Sequence, residues 1–176
     1  MGTPPLLTDK EARLLQALVE EGVEFLVVGL AAAALQGAPA VTQDIDLWFR
    51  DLSDPALQRA LRRVGASYVA PSLHNPPLLA GGDAGLFDVV VNMHGLGSFA
   101  QEARRALRVP VGAVEVRVLP LARIIASKMA TDRPKDRAIL PALEDALRVL
   151  QSRKRPRRRS PPVSRRRARR SRRVQE

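Results

Sequence analysis

From Glu11 to Glu21 the apolar positions Leu14, Leu15, Leu18 and Val19 recur at helical spacing among charged residues. Thr8 with Glu11 three residues on forms a capping box, and Gly22 is a stop, so the pattern predicts a helix over 9–21. The period then changes. "EFLVVG" is a β-branched and aromatic run closing on Gly29, as in a buried strand, and the alanine-rich "LAAAALQG" predicts a short helix over 30–37 packed closely on the sheet. "DIDLWF" reads as a second strand. Asp54 and Pro55 open a second amphipathic helix through Leu57, Leu61 and Val64.

Residues 71–85, rich in proline and glycine, predict a loop long enough to border a site, and "LFDVVVNM" predicts another buried strand. A helix over 98–107, a strand pair in "RVPVGAVEVRVL" turning at Val111-Gly112, a helix from Pro120 to Met129, a break at "DRP" and a last helix over 135–150 complete the pattern. No internal repeat is present. Alternating helices and strands with a late hairpin predict an α/β (α+β) fold: a mixed β-sheet flanked by helices. Residues 1–150 form one domain in this reading, with a helical C-terminal part over 120–150.

Charge changes the picture at the C-terminus. The 176 residues carry 29 Lys and Arg against 18 Asp and Glu, a formal net charge of +11. Residues 151–176 hold 13 of those bases and one of the acids, which leaves residues 1–150 at a net −1. The protein therefore reads as a nearly neutral domain with an Arg-rich tail that is too polar and self-repelling to fold alone. Such an arm binds RNA or DNA phosphate by counterion release, without sequence choice, and lacks the aromatics needed for base stacking.

Cysteine is absent, which excludes disulfides, thiolate nucleophiles and Cys-type zinc sites. The longest apolar run, "FLVVGLAAAAL", is 11 residues, against roughly 20 for a membrane span, and no secretory signal is visible. The expectation is a cytoplasmic protein with no membrane partner.

Asp44 and Asp46 are the candidate chemistry. Residues two apart in a strand share a face, roughly 6.6 Å apart along the chain. Two carboxylates so placed repel each other unless a cation sits with them. Oxygen-only ligands select Mg²⁺ or Mn²⁺, and such ions clamp the attacking and leaving oxygens of a phosphoryl-type displacement. Asp88 is the remaining acid inside an apolar strand pattern and is the expected third ligand. The plainer alternative is a solvated strand end with one Asp capping a turn. His74 and His94 have no partner spacing and are read as surface loop residues. Trp48 shares the Asp face and either lines the site or packs in the core.

The ordered set "VVGLAAAALQGAPAVTQDIDLWF" resembles the nucleotidyltransferase fold of the polymerase-beta superfamily, in particular its minimal, toxin–antitoxin-associated branch of AbiEii-like proteins. Gly29, Gly37, Thr42, Asp44 and Asp46 stand in register with that pattern. "LPLARIIASKMATDRPKDRAILPAL" looks like the helical segment in which such proteins carry a lysine and an Arg-Pro-Lys-Asp element, here Lys128 and Arg133 to Asp136. The likeness spans most of residues 22–148. The family's second glycine is Leu30 here, its His is Gln36 and its Arg is Ala40.

The resemblance implies that Asp44 and Asp46 hold the ions that grip an NTP. It implies that Asp88 shares one ion and helps deprotonate an acceptor hydroxyl, and that pyrophosphate leaves. Gly29, Leu30, Thr42, Lys128, Arg133 and Lys135 become the nucleotide-binding candidates. Lys128, Arg133 and Lys135 have a plainer reading as a solvated helix end and turn. The acceptor is an RNA end or a protein hydroxyl, and a toxin–antitoxin partner protein is implied. Leu30, Gln36 and Ala40 favour a rival, a catalytically silent binding module of the same fold. A third reading is a nucleic-acid binder acting through its tail.

Overall fold

The structure, a computed structural model, describes residues 7–154. The Arg-rich tail lies outside the described residues from position 155 onward. Helix α1 (Asp9–Glu20) opens on the predicted capping box, with Thr8 N–H donating to Glu11 at 2.6 Å. It buries Leu14, Leu15 and Leu18. Strand β1 (Phe25–Val28) is buried along its whole length and runs directly into α2 (Gly29–Leu35). Strand β2 (Ile45–Phe49) leads to α3 (Pro55–Arg63), whose N-cap Asp54 accepts from Ala56 N–H at 2.8 Å.

Two further strands, β3 (Ser67–Val69) and β4 (Leu78–Ala80), precede β5 (Phe87–Val90). The sequence pattern misses both: each has three residues, and pairing to neighbours rather than local periodicity makes them strands. The predicted loop over 71–85 thus contains β4 and a short 3₁₀ turn, Gly82–Ala84. Helix α4 (Phe99–Ala103) is shorter than expected because Leu107 is taken into the hairpin of β6 (Leu107–Val111) and β7 (Val114–Val118), where it pairs with Val118. Helix α5 (Leu121–Thr131) ends on Asp132 in the left-handed region, φ 46°. Helix α6 (Pro134–Lys154) runs four residues past the predicted end, so the first residues assigned to the tail are helical.

The seven strands form one sheet in the order β3-β4-β5-β2-β1-β7-β6. β1 pairs antiparallel to β2 and parallel to β7, and β2 pairs parallel to β5, so the sheet is mixed as predicted. Alternation along β2 sends Ile45, Leu47 and Phe49 to one face, where all three are buried in the core. Asp46 and Trp48 point to the other, toward α4 and the end of α5. Past β2 this second face is open. The register places Val69, Leu78, Asp88, Asp46 and Val28 in one row across the sheet, running from exposed at the β3 edge to buried at β1.

Candidate active site

Asp46 and Asp88 are register partners on adjacent parallel strands, so their side chains leave the same face of the sheet side by side. Asp46 is half-buried and Asp88 exposed. Among the described residues neither carboxylate has a hydrogen-bond or ion-pair partner. The carboxyl of Asp46 is pushed up to about 6 by burial first and by the charge of Asp88 second; Lys128 and Lys135 pull it down and Asp44 pushes it up. Asp44 lies one residue ahead of β2 and is exposed. Its backbone is held by Thr42, whose Oγ1 donates to the Asp44 carbonyl at 3.0 Å and accepts from the Asp44 N–H at 3.3 Å.

Gly29 completes the cradle. Its φ is +64°, and a Cβ built on it would sit 1.9 Å from Asp46 Oδ2. The glycine is therefore required by the backbone and by the carboxylate together. Leu30 follows it half-buried and packs on the core. Ala40 is buried, with no charge to offer at the position where the sequence resemblance leads one to expect an arginine. Gln36, at the family's histidine position, donates through Nε2 to the carbonyls of Ala32 (2.8 Å) and Leu119 (2.9 Å). Its Oε1 accepts from Leu121 N–H at 2.9 Å. It thus ties the end of α2 to the start of α5.

The α5–α6 junction brings Lys128 and Lys135 within electrostatic reach of Asp46. Arg133 is turned to another partner. Asp136, 0% exposed, accepts from Lys128 Nζ at 2.8 Å, Arg133 Nε at 2.7 Å and Thr131 Oγ1 at 2.8 Å. Burial alone would raise its carboxyl, but the three donors outweigh it and hold the group well below the usual carboxylate range. Sequence reasoning gave this residue no role. The available signal was its place three residues after Arg133, in the first turn of a helix.

Trp48 settles into the core, edge-on to Phe99 at 5.4 Å, so its packing role is the observed one. His74 and His94 are exposed in loops, as expected. A cleft of about 350 Å³ opens on the Ile45 side of β2, lined by Leu7, Glu11, Ala31, Thr42, Ile45 and Leu86. Thr42 thus borders the opposite side of β2 from Asp46.

The residues fit a hard divalent ion in part. The donors are oxygens, and two carboxylates face the same space with nothing to neutralise them directly. Among the described residues no third His, Cys, Asp or Glu joins them in a preformed cage. Mg²⁺ is usually held by one or two carboxylates together with substrate phosphates and water, which is the set Asp46 and Asp88 would leave open. Among the described residues no helix is long and apolar enough to cross a membrane.

No protein-family model and no curated protein sequence matches the chain. Solved structures do. The crystal structure of ANT(2'')-Ia in complex with adenylyl-2''-tobramycin is similar at a TM-score of 0.54 and 19% identity, over 81% of this chain and 88% of that one. The solution structure of the same antibiotic-resistance factor is similar at 0.52 and 17% identity, over 82% and 90% of the two chains. At this identity the likeness is one of fold, and it agrees with the mixed sheet, the flanking helices and the order of elements: the chain has a nucleotidyltransferase-like fold.

Proposed function

We propose that the protein is a metal-dependent nucleotidyltransferase, moving a nucleoside monophosphate from an NTP to a hydroxyl acceptor. The register pairing of Asp46 with Asp88 carries the reading: two neighbouring carboxylates on an open sheet face destabilise each other unless a cation is bound. In this reading Asp46 and Asp88 hold Mg²⁺ or Mn²⁺, with Asp44 joining from the residue ahead of β2. Bound there, the ion supplies neutralisation of the triphosphate charge.

Lys128 and Lys135 bind phosphate oxygens opposite the carboxylates, and bare Gly29 admits the Asp46 carboxylate against the start of α2. Asp88, the more exposed carboxylate, takes the proton of the acceptor hydroxyl as its oxygen bonds to the α-phosphorus, and pyrophosphate departs with the bond to the α-phosphorus broken. Positioning and charge do most of the work in such chemistry. The acceptor in this reading is an RNA end or a protein hydroxyl, and a toxin–antitoxin pair is the proposed setting. The Arg-rich tail is a proposed nucleic-acid arm.

A second reading is a catalytically silent nucleotide- or partner-binding module. It is favoured by Leu30, by uncharged Ala40, and by Gln36, which is spent on tying α2 to α5. Incubation with each α-labelled NTP, Mg²⁺ or Mn²⁺, and total RNA or cell extract, beside Asp46→Asn, tests both. Transfer of label lost in the variant supports the enzyme. Metal-dependent NTP binding without transfer supports the silent module, and neither binding nor transfer overturns both.

A further inference from the structure

We infer that Asp136 is a positioning residue that holds Lys128, with donors to spare, at the edge of the Asp46–Asp88 site; the inference rests on the nucleotide-binding reading of that site. The geometry is specific. Thr131 and Lys128 come from the last turn of α5, Arg133 from the link, and Asp136 from the first turn of α6. The left-handed Asp132 reverses the chain so that all three donors converge on one carboxylate. Two cations on one anion leave a surplus positive charge. Lys128, 15% exposed, has one of its three donors on Asp136. Arg133, 55% exposed, meets Asp136 through Nε alone.

A lysine on a long flexible stem loses side-chain entropy when it is fixed, and an anchored counter-charge lets that loss occur before the ligand arrives. The plainer alternative is that Asp136 merely staples α5 to α6. A second buried carboxylate shows what a staple looks like. Glu102, 1% exposed, accepts from Arg123 at 2.6 and 2.8 Å and from Gly97 N–H at 3.1 Å, joining α4 to α5. The partners of the Glu102 carboxylate are Arg123, Arg105 and Gly97, none of which bonds Lys128, Asp136 or Asp46. Glu102→Gln is therefore a matched control for a purely structural buried acid.

The test is equilibrium binding of ATP, GTP, CTP and UTP, each with Mg²⁺, to the full chain at a temperature where circular dichroism shows every variant folded. Asp136→Asn and Lys128→Met are each expected to weaken binding by about 10-fold, the scale of one charge-assisted contact, and the double variant by no more than Lys128→Met alone. Glu102→Gln is expected to lower Tm while leaving Kd within about 2-fold. Losses that multiply in the double variant, wild-type affinity in folded Asp136→Asn, or an equal loss in Glu102→Gln would overturn the inference. Should Asp136→Asn not fold, Thr131→Val takes its place. It is expected to weaken binding about 3-fold in the wild-type background and not at all beside Lys128→Met, and equal losses in both backgrounds overturn the inference. Wild-type protein that binds none of the four nucleotides overturns the reading of the site itself, whereas wild-type binding indifferent to Asp136 and Thr131 overturns the positioning role alone.

Discussion

The bare Cα of Gly29 and the carboxylate of Asp46 fit together so closely that no side chain can stand between them. Val28 pairs with Asp46 across the antiparallel β1–β2 ladder, and the next residue turns into α2 at φ +64°, where a Cβ would meet Asp46 Oδ2 at 1.9 Å. Gly29→Ala is expected to cost about 2 kcal/mol or more, from left-handed strain plus the clash, read by thermal denaturation. If the proposed nucleotidyl transfer is this chain's activity, displacing Asp46 by even an ångström should lower it by about 100-fold.

Asp46 makes stability fall as pH rises. Its folded value, about 6, lies above the ordinary 3.8, so between those values the folded state binds the extra proton. The destabilisation is complete above pH 6 and relieved below pH 4. Asp46→Asn should therefore be more stable than wild type by about 1–3 kcal/mol at pH 7.5, with the difference vanishing near pH 4 in parallel urea titrations. Adding Mg²⁺ at pH 7.5 should raise the Tm of wild type and not of Asp46→Asn, and a chelator should reverse it.

Arg123 is the main counter-charge of buried Glu102, and Arg123→Met is expected to cost about 3 kcal/mol by leaving that carboxylate only the exposed Arg105 at 3.5 Å and the Gly97 N–H. In wild type the hydrogen bond from Arg123 is the largest influence on Glu102, and its carboxyl lies below the ordinary range despite burial. That stabilisation is present above the unfolded value and lost as pH falls through the folded one. The stability gap between wild type and Arg123→Met should accordingly be widest above pH 4.5 and shrink as pH falls below it, in parallel urea titrations.

Trp48 is the chain's one tryptophan, buried edge-on against Phe99. Trp48→Ala should cost about 3–5 kcal/mol and Trp48→Phe markedly less, measured by urea unfolding. Because Trp48 sits two residues from Asp46 on the same face, its fluorescence should also report Mg²⁺ and nucleotide binding.

Gln36 satisfies three backbone groups that water would otherwise have to reach. Gln36→Ala should cost about 1–3 kcal/mol through the unpaired Leu119 and Leu121 groups. Gln36→His, the residue that the resemblance in the sequence would place there, should not recover all of that loss, because a neutral imidazole has one donor and one acceptor against the three bonds of the amide. Thermal denaturation of the three proteins side by side checks both.

The long periodic elements were legible in the linear chain. α1 with its capping box, buried β1, the Asp54 cap of α3 and the β6–β7 hairpin all arise from local pattern, because period and caps are properties of consecutive residues. β3 and β4 were not, since three-residue strands exist only by virtue of neighbours. Asp46 and Asp88 could be singled out as acids within apolar runs, and register alone made them adjacent. Lys128 could be named as a candidate cation and Asp136 as part of the same element, but that the carboxylate grips the lysine could not be read.

The order of apolar and polar residues thus determined which segments become helix or strand, which face of β2 carries charge, and that the donor chemistry is oxygen rather than sulfur. The tertiary structure alone decided that Asp88 stands beside Asp46, that Gly29 must lack a side chain to admit that carboxylate, that Arg133 turns to Asp136, and that Trp48 packs rather than binds. The physical reason is range: hydrophobic period and capping act over a few residues, whereas register, burial and the convergence of donors on a buried charge depend on segments that meet only after the chain has folded.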